Sequence, residues 1–288
     1  MLLANGRVCA PIFYWPRQIK TYFLHSMRQL VLFVVLTTGL VSGTSAFAQW
    51  EFSGAGGVRY VTNDEVDTNG KQLVEEHGFL PGVELKANYR RGDWLVNLGG
   101  EIYGGNLAYD GQMQSGTAFS TDTRTTQFRM TTEVGRYLSD AVLLLAGAEW
   151  DYWKRDILGQ GATLGLQEEY NSWRFLAGAQ TRVLQASWSD IYLTGLLVVS
   201  SPEHLEVNFD NQLFDQANLS TKAAIGARLA LEVRPKASSH ISVESDFEWM
   251  RIGRSDEAIL SKGGSPVGTV VQPEHVRKAI GIKVKYRF

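Results

Sequence analysis

Three histidines carry acidic neighbours in this 288-residue chain: His77 follows Glu75 and Glu76, His204 follows Glu203, and His275 follows Glu274. An imidazole beside a carboxylate activates a water or ligates a metal when the groups converge in space. Adjacency along a chain is not convergence, and a solvated loop histidine has acidic neighbours by chance often enough that these three stand as rim candidates only. Elsewhere the sequence offers no phosphate-cradling glycine loop, no zinc spacing and no nucleotide motif, so neither a cofactor nor a metal is expected. The only cysteine is Cys9, which leaves the rest of the chain without a thiolate nucleophile or disulfide.

The segments around these histidines decide what they could do. The one long apolar run, Leu30 to Val41, follows Met27-Arg28 and ends in Ala46-Phe47-Ala48. A basic start, a short apolar run and an A-x-A site predict a secretory signal peptide over 27–48, cut before Gln49. The run is too short to cross a bilayer comfortably as a helix. Residues 1–26 then read as an upstream extension or a mis-called start, and 49–288 as the mature domain. Residues 1–48 carry Arg7, Arg17, Lys20 and Arg28 and no acid, so 24 basic and 30 acidic residues remain, a net charge of −6. That balance excludes a nucleic-acid partner, which needs a basic surface.

From Gln49 onward apolar residues recur every second position. In 79–90, Phe79, Pro81, Val83, Leu85, Ala87 and Tyr89 oppose Gly82, Glu84, Lys86, Asn88 and Arg90. The same split returns in 173–183, 222–233 and 241–249. A period of two is a strand with one greasy and one charged face, and a slip of one residue would exchange the faces. Ten strands are predicted, near 50–61, 79–90, 94–105, 124–136, 141–153, 171–183, 188–200, 218–233, 240–252 and 276–288. Each is long enough to cross a bilayer when tilted.

Short connections (91–93, 138–140, 184–187, 234–239) alternate strictly with long ones (62–78, 104–123, 154–170, 201–217, 253–275). This is the order of an up-and-down barrel with short periplasmic turns, long outer loops and both ends in the periplasm. The fold class expected is therefore all-β: a closed antiparallel transmembrane β-barrel of about ten strands, an up-and-down meander. A closed sheet leaves no backbone group unpaired in hydrocarbon. Outward aromatics near strand ends (Trp50, Tyr60, Tyr89, Trp94, Trp173, Trp188, Trp249, Tyr286 and Phe288) are expected to form interfacial girdles.

The final segment, Ile280-Gly281-Ile282-Lys283-Val284-Lys285-Tyr286-Arg287-Phe288, alternates and finishes on an aromatic residue. It resembles the closing strand of the Gram-negative outer-membrane β-barrel family. That resemblance implies a place in the cell outer membrane among lipid and lipopolysaccharide, and Tyr286 and Phe288 as a signal read by the barrel-assembly machinery. The omptin-like proteases of that family are also ten-stranded, but no Asp-x-His or paired Asp-x-Asp segment carries their activity over.

A ten-stranded lumen is narrow. The charged face supplies it with both signs: Glu84, Lys86, Arg90, Glu101, Arg129, Glu133, Glu149, Asp151, Arg174, Arg182, Lys222, Arg228, Glu232, Glu244, Asp246, Glu248, Lys283, Lys285 and Arg287. Buried charges must pair, so a plug of ion pairs is expected rather than a continuous pore. The function expected is structural or surface-interacting through the outer loops, without catalysis. A small porin-like channel and an omptin-like rim hydrolase are the alternatives. The acidic stretch Asp64, Glu65, Asp67, Glu75 and Glu76 is expected to form a first outer loop, and 109–116 a turn.

Overall fold

A computed structural model describes residues 49–112, 116–161 and 163–288; the signal peptide expected at 27–48 and the stretch before it lie outside the described residues. The strands are β1 (Gln49–Val66), β2 (Gln72–Arg91), β3 (Trp94–Gln112), β4 (Ala118–Ser139), β5 (Val142–Ile157), β6 (Leu166–Gln185), β7 (Ser189–Ser200), β8 (His204–Phe209), β9 (Ala217–Ser220), β10 (Ala224–Pro235), β11 (Ile241–Ile252), β12 (Ala258–Lys262), β13 (Ser265–Val270) and β14 (Glu274–Arg287). Ten of them form a ring in the order β1-β2-β3-β4-β5-β6-β7-β10-β11-β14, and β14 pairs back onto β1. Every neighbour is antiparallel. The protein is a closed, antiparallel, ten-stranded β-barrel with up-and-down neighbour order.

Alternation sets which face turns outward. Leu85 is 68 % exposed and Leu197 70 %, whereas Glu84 is 4 % and Glu149 1 %. The apolar face is outside and the charged face inside, the reverse of a water-soluble sheet protein. All nine expected girdle aromatics lie on the outer face or in a turn. Near the short turns Trp50 packs on Tyr89 at 4.9 Å and Tyr286 on Phe288 at 5.3 Å. Toward the other end Tyr60 packs on Phe79 at 5.0 Å and Phe128 on Trp150 at 5.8 Å. Trp50 and Tyr60 are ten positions apart on β1, about 33 Å along a strand. With the tilt of a barrel strand this becomes about 25 Å along the axis, the height of the apolar band in outer-membrane barrels.

The expected long loops prove to be largely strand. The β1–β2 ladder runs on to Val66 opposite Gln72, and β3–β4 to Gln112 opposite Ala118. The 62–78 loop is thus reduced to the tight turn 67–71. There the Asp67 carboxylate accepts from the backbone N–H of Lys71 (2.9 Å) and of Asn69 (2.8 Å), which holds it below the ordinary carboxylate range. Residues 109–112, expected in a turn, belong to β3. Residues 201–217 hold β8, which continues β7 along β6, and most of the span to β9; β12 and β13 form a separate hairpin within 253–275. The physical reason is common to all of these. Above the upper girdle the outward positions are polar, as at Thr62, Asp64, Glu75 and His77, so the greasy face that marks a strand disappears while the ladder continues.

Candidate functional site

Inward side chains from nine strands converge on one charged lattice. Arg129 of β4 donates from its terminal nitrogens to both oxygens of Glu248 on β11 (2.8 and 2.6 Å) and from Nε to Asp151 of β5 (2.8 Å). Arg174 of β6 donates to the other Asp151 oxygen at 2.6 Å. Arg228 of β10 grips Glu149 with two bonds of 2.9 Å and reaches Glu248 at 2.8 Å. Arg59 of β1 holds Glu101 at 2.7 and 3.0 Å and Asp246 at 3.2 Å. Next to it Lys283 joins Glu84 (2.6 Å) and Glu244 (3.1 Å), and Lys285 bonds Glu244. Planar guanidinium forks matched to carboxylate pairs satisfy several lone pairs at once, which offsets the cost of enclosing these charges. Gly281 makes room for one joint: a Cβ there would lie 2.7 Å from Asp246 Oδ1 and 2.8 Å from Arg59 Cγ.

Beyond the lattice, away from the short turns, the interior is packed. Arg155 of β5 is ion-paired with Glu65 (3.0 Å), Glu76 (2.8 Å) and Glu168 (2.6 Å). Glu65 and Glu76 were expected in an acidic outer loop; the extended strands turn both inward. Arg277 donates to both oxygens of Glu203 (2.8 and 2.7 Å) and lies 4.2 Å from the centre of the Trp153 ring. On the short-turn side of the lattice the lumen holds a cavity of about 790 Å³.

The three candidate histidines are not brought together. His77 sits on the outward face of β2, 6.4 Å from the Tyr60 ring and 3.9 Å from Glu75. His204 opens β8 and is exposed. His275 is inside the barrel and 1 % exposed. Its Nδ1 lies 3.2 Å from the Pro273 carbonyl, and its Nε2 lies 2.9 Å from an Arg277 nitrogen that can only donate. The carbonyl can only accept and the guanidinium can only donate, so Nδ1 donates to Pro273 and Nε2 accepts from Arg277. A histidine so enclosed is a packing member rather than a rim base. Among the described residues no group of three His, Cys, Asp or Glu is placed to hold a metal ion.

The expected inward charges fall as the alternation dictates, with one correction. Lys222 is exposed and bonds Asp256 at 2.8 Å. The count of alternate positions ran through 221–223, where the ladder is interrupted between β9 and β10 and the register resets. Sequence reasoning also passed over Arg59, Arg155, Arg277 and Glu203. Arg59 stands an even number of positions from Glu51, and Arg155 from Glu149 and Asp151, so carrying the alternation through would have found both.

No family model matches the chain, and no curated protein matches its sequence. Solved structures do resemble it. The outer membrane protease OmpT from Escherichia coli superposes with a TM-score of 0.50 at 10 % identity, over 86 % of this chain and 99 % of that one. This chain has the Gram-negative outer-membrane β-barrel fold. The translocator domain of the autotransporter NalP from Neisseria meningitidis covers 94 % of the barrel chain and 98 % of its own at 12 % identity, with a TM-score of 0.44. Neisserial surface protein A covers 82 % and 97 % at 10 % identity, with a TM-score of 0.34. At such identities the likeness is one of fold, and the barrel's own residues must supply any functional argument.

Proposed function

We propose that this protein is exported by the signal peptide read at 27–48 and resides in a Gram-negative outer membrane. There its role is structural or surface-interacting and is exercised at the outer rim rather than by passage through the lumen. The observation that carries this reading is the side-chain lattice around Arg129 and Glu248, whose members bond to one another across the barrel. A porin-like channel would need those charges to line an opening, whereas here they bond to each other. A rim hydrolase would need His77, His204 and His275 to share a site, and they occupy the outer face, the exposed start of β8 and the interior.

In this reading the exposed apolar face meets outer-membrane lipid, the rim meets lipopolysaccharide, and Tyr286 and Phe288 serve as the signal for the assembly machinery. Cysteine labelling tests placement and orientation together, since Cys9 is the only native thiol. A membrane-impermeant maleimide should label Lys262→Cys, at the end of β12 beside the β12–β13 turn, on intact cells. Ala237→Cys, in the short β10–β11 turn, should react only after the outer membrane is permeabilised. Equal labelling of both positions, or protection of both, contradicts the proposal.

A further inference from the structure

The 790 Å³ cavity is a blind vestibule. Its floor is the Arg59, Glu101, Arg228 and Glu149 side of the lattice, and its mouth lies among the short turns, at Gln49, Arg90, Tyr137, Arg182 and Arg287. Those turns are the periplasmic end in the orientation of outer-membrane barrels. The charges lining it are not equally engaged. Glu232 accepts from Arg234, Arg287 and Ser242, Glu133 from Asn97, and Glu51 from Asn88. Among the described residues only Asp140, exposed in its turn, is a lining carboxylate without a donor.

The lining is balanced, with nine basic and nine acidic side chains, but two guanidiniums near the mouth lack an ion-pair partner among the described residues. The Arg182 guanidinium has no hydrogen-bond or ion-pair partner among the described residues, its backbone N–H alone donating, to the Ala141 carbonyl. Arg90 bonds only the Gly92 carbonyl at 3.3 Å and lies 4.3 Å above the Tyr137 ring. Arg234 lies 4.1 Å above Tyr192 with its Nε buried and unpartnered. A guanidinium resting on an aromatic face is fixed in place while its N–H edge stays free, which suits a carboxylate or phosphate.

We propose that the vestibule binds a small organic anion of up to sugar size, entering from the short-turn end with its charged group on Arg90 or Arg182. The anionic group is a phosphate or a carboxylate, and both meet the same donors. The volume exceeds that of one monosaccharide, so a ligand of that size fits.

The test is calorimetric titration of the full barrel in detergent with glucose 6-phosphate, glucuronate and neutral glucose. Saturable binding of at least one anion, with glucose silent, is the expected result, and the two anions distinguish phosphate from carboxylate. The double variant Arg90→Gln, Arg182→Gln should weaken that binding about tenfold. Retention of the wild-type heat-modifiable gel mobility shows that the variant is folded. Saturable binding of neither anion, binding of glucose equal to theirs, or undiminished binding in the folded variant overturns the proposal. Each of these outcomes is independent of the cysteine-labelling result.

Discussion

Arg129 on β4 and Glu248 on β11 face each other across the full diameter of the barrel, five places apart in a ring of ten strands, and are joined by two bonds of 2.8 and 2.6 Å. The brace is shared: Arg228 bonds Glu248, Arg174 lies 3.4 Å from it, and Arg174 meets Arg129 again at Asp151.

Removing one charge from that brace should therefore cost far more than a surface ion pair. Glu248→Gln leaves Arg129, Arg174 and Arg228 short of a shared carboxylate charge in an enclosed site. The expected loss is about 3–5 kcal/mol. It is read as a lower urea midpoint for loss of the folded, heat-modifiable band. A midpoint equal to that of the native protein would mean the lattice is well hydrated and energetically slack.

The histidines should behave unequally. His275→Ala strips an acceptor from Arg277 and a donor from the Pro273 carbonyl in the packed interior, and should destabilise by about 1–3 kcal/mol. His77→Ala and His204→Ala, on the outer face and at an exposed strand start, should fall within about 0.5 kcal/mol of the native protein. Denaturant midpoints of the three single variants decide it, and equal effects would contradict the placement of His275.

Two residues of equal exposure should respond oppositely to charge. Leu85 and Ile259 are each 68 % exposed. Leu85 pairs near Gly54, midway between the two aromatic girdles, whereas Ile259 lies on the β12–β13 hairpin beyond them. Leu85→Arg should cost about 2–4 kcal/mol in a bilayer, and Ile259→Arg close to nothing. Folding titrations in lipid vesicles measure both. A small cost at Leu85 would place that face in water.

All ten barrel strands and their inside-out polarity were legible in the sequence, because both rest on one signal, the strict alternation of Phe79-x-Pro81-x-Val83-x-Leu85 and its counterparts. The height of the barrel was not. At Asp64, Glu75 and Glu76 both faces are polar, and the pattern that reveals a strand in lipid is silent in a strand that stands in water. Three arginines were missed for related reasons. Arg155 fell beyond the apparent end of β5, while Arg59 and Arg277 lay on recognised strands whose alternation was not followed to the end. The vestibule was invisible to a sequence reading, since it depends on which of many lumen charges find partners, and that is fixed only when Arg129 reaches Glu248.

The central claim, a membrane barrel closed by its own side chains, is tested most directly by single-channel recording in planar bilayers. The native protein, recovered as a folded, heat-modifiable barrel, should be electrically silent. Steady conductance steps from the native protein would contradict the account.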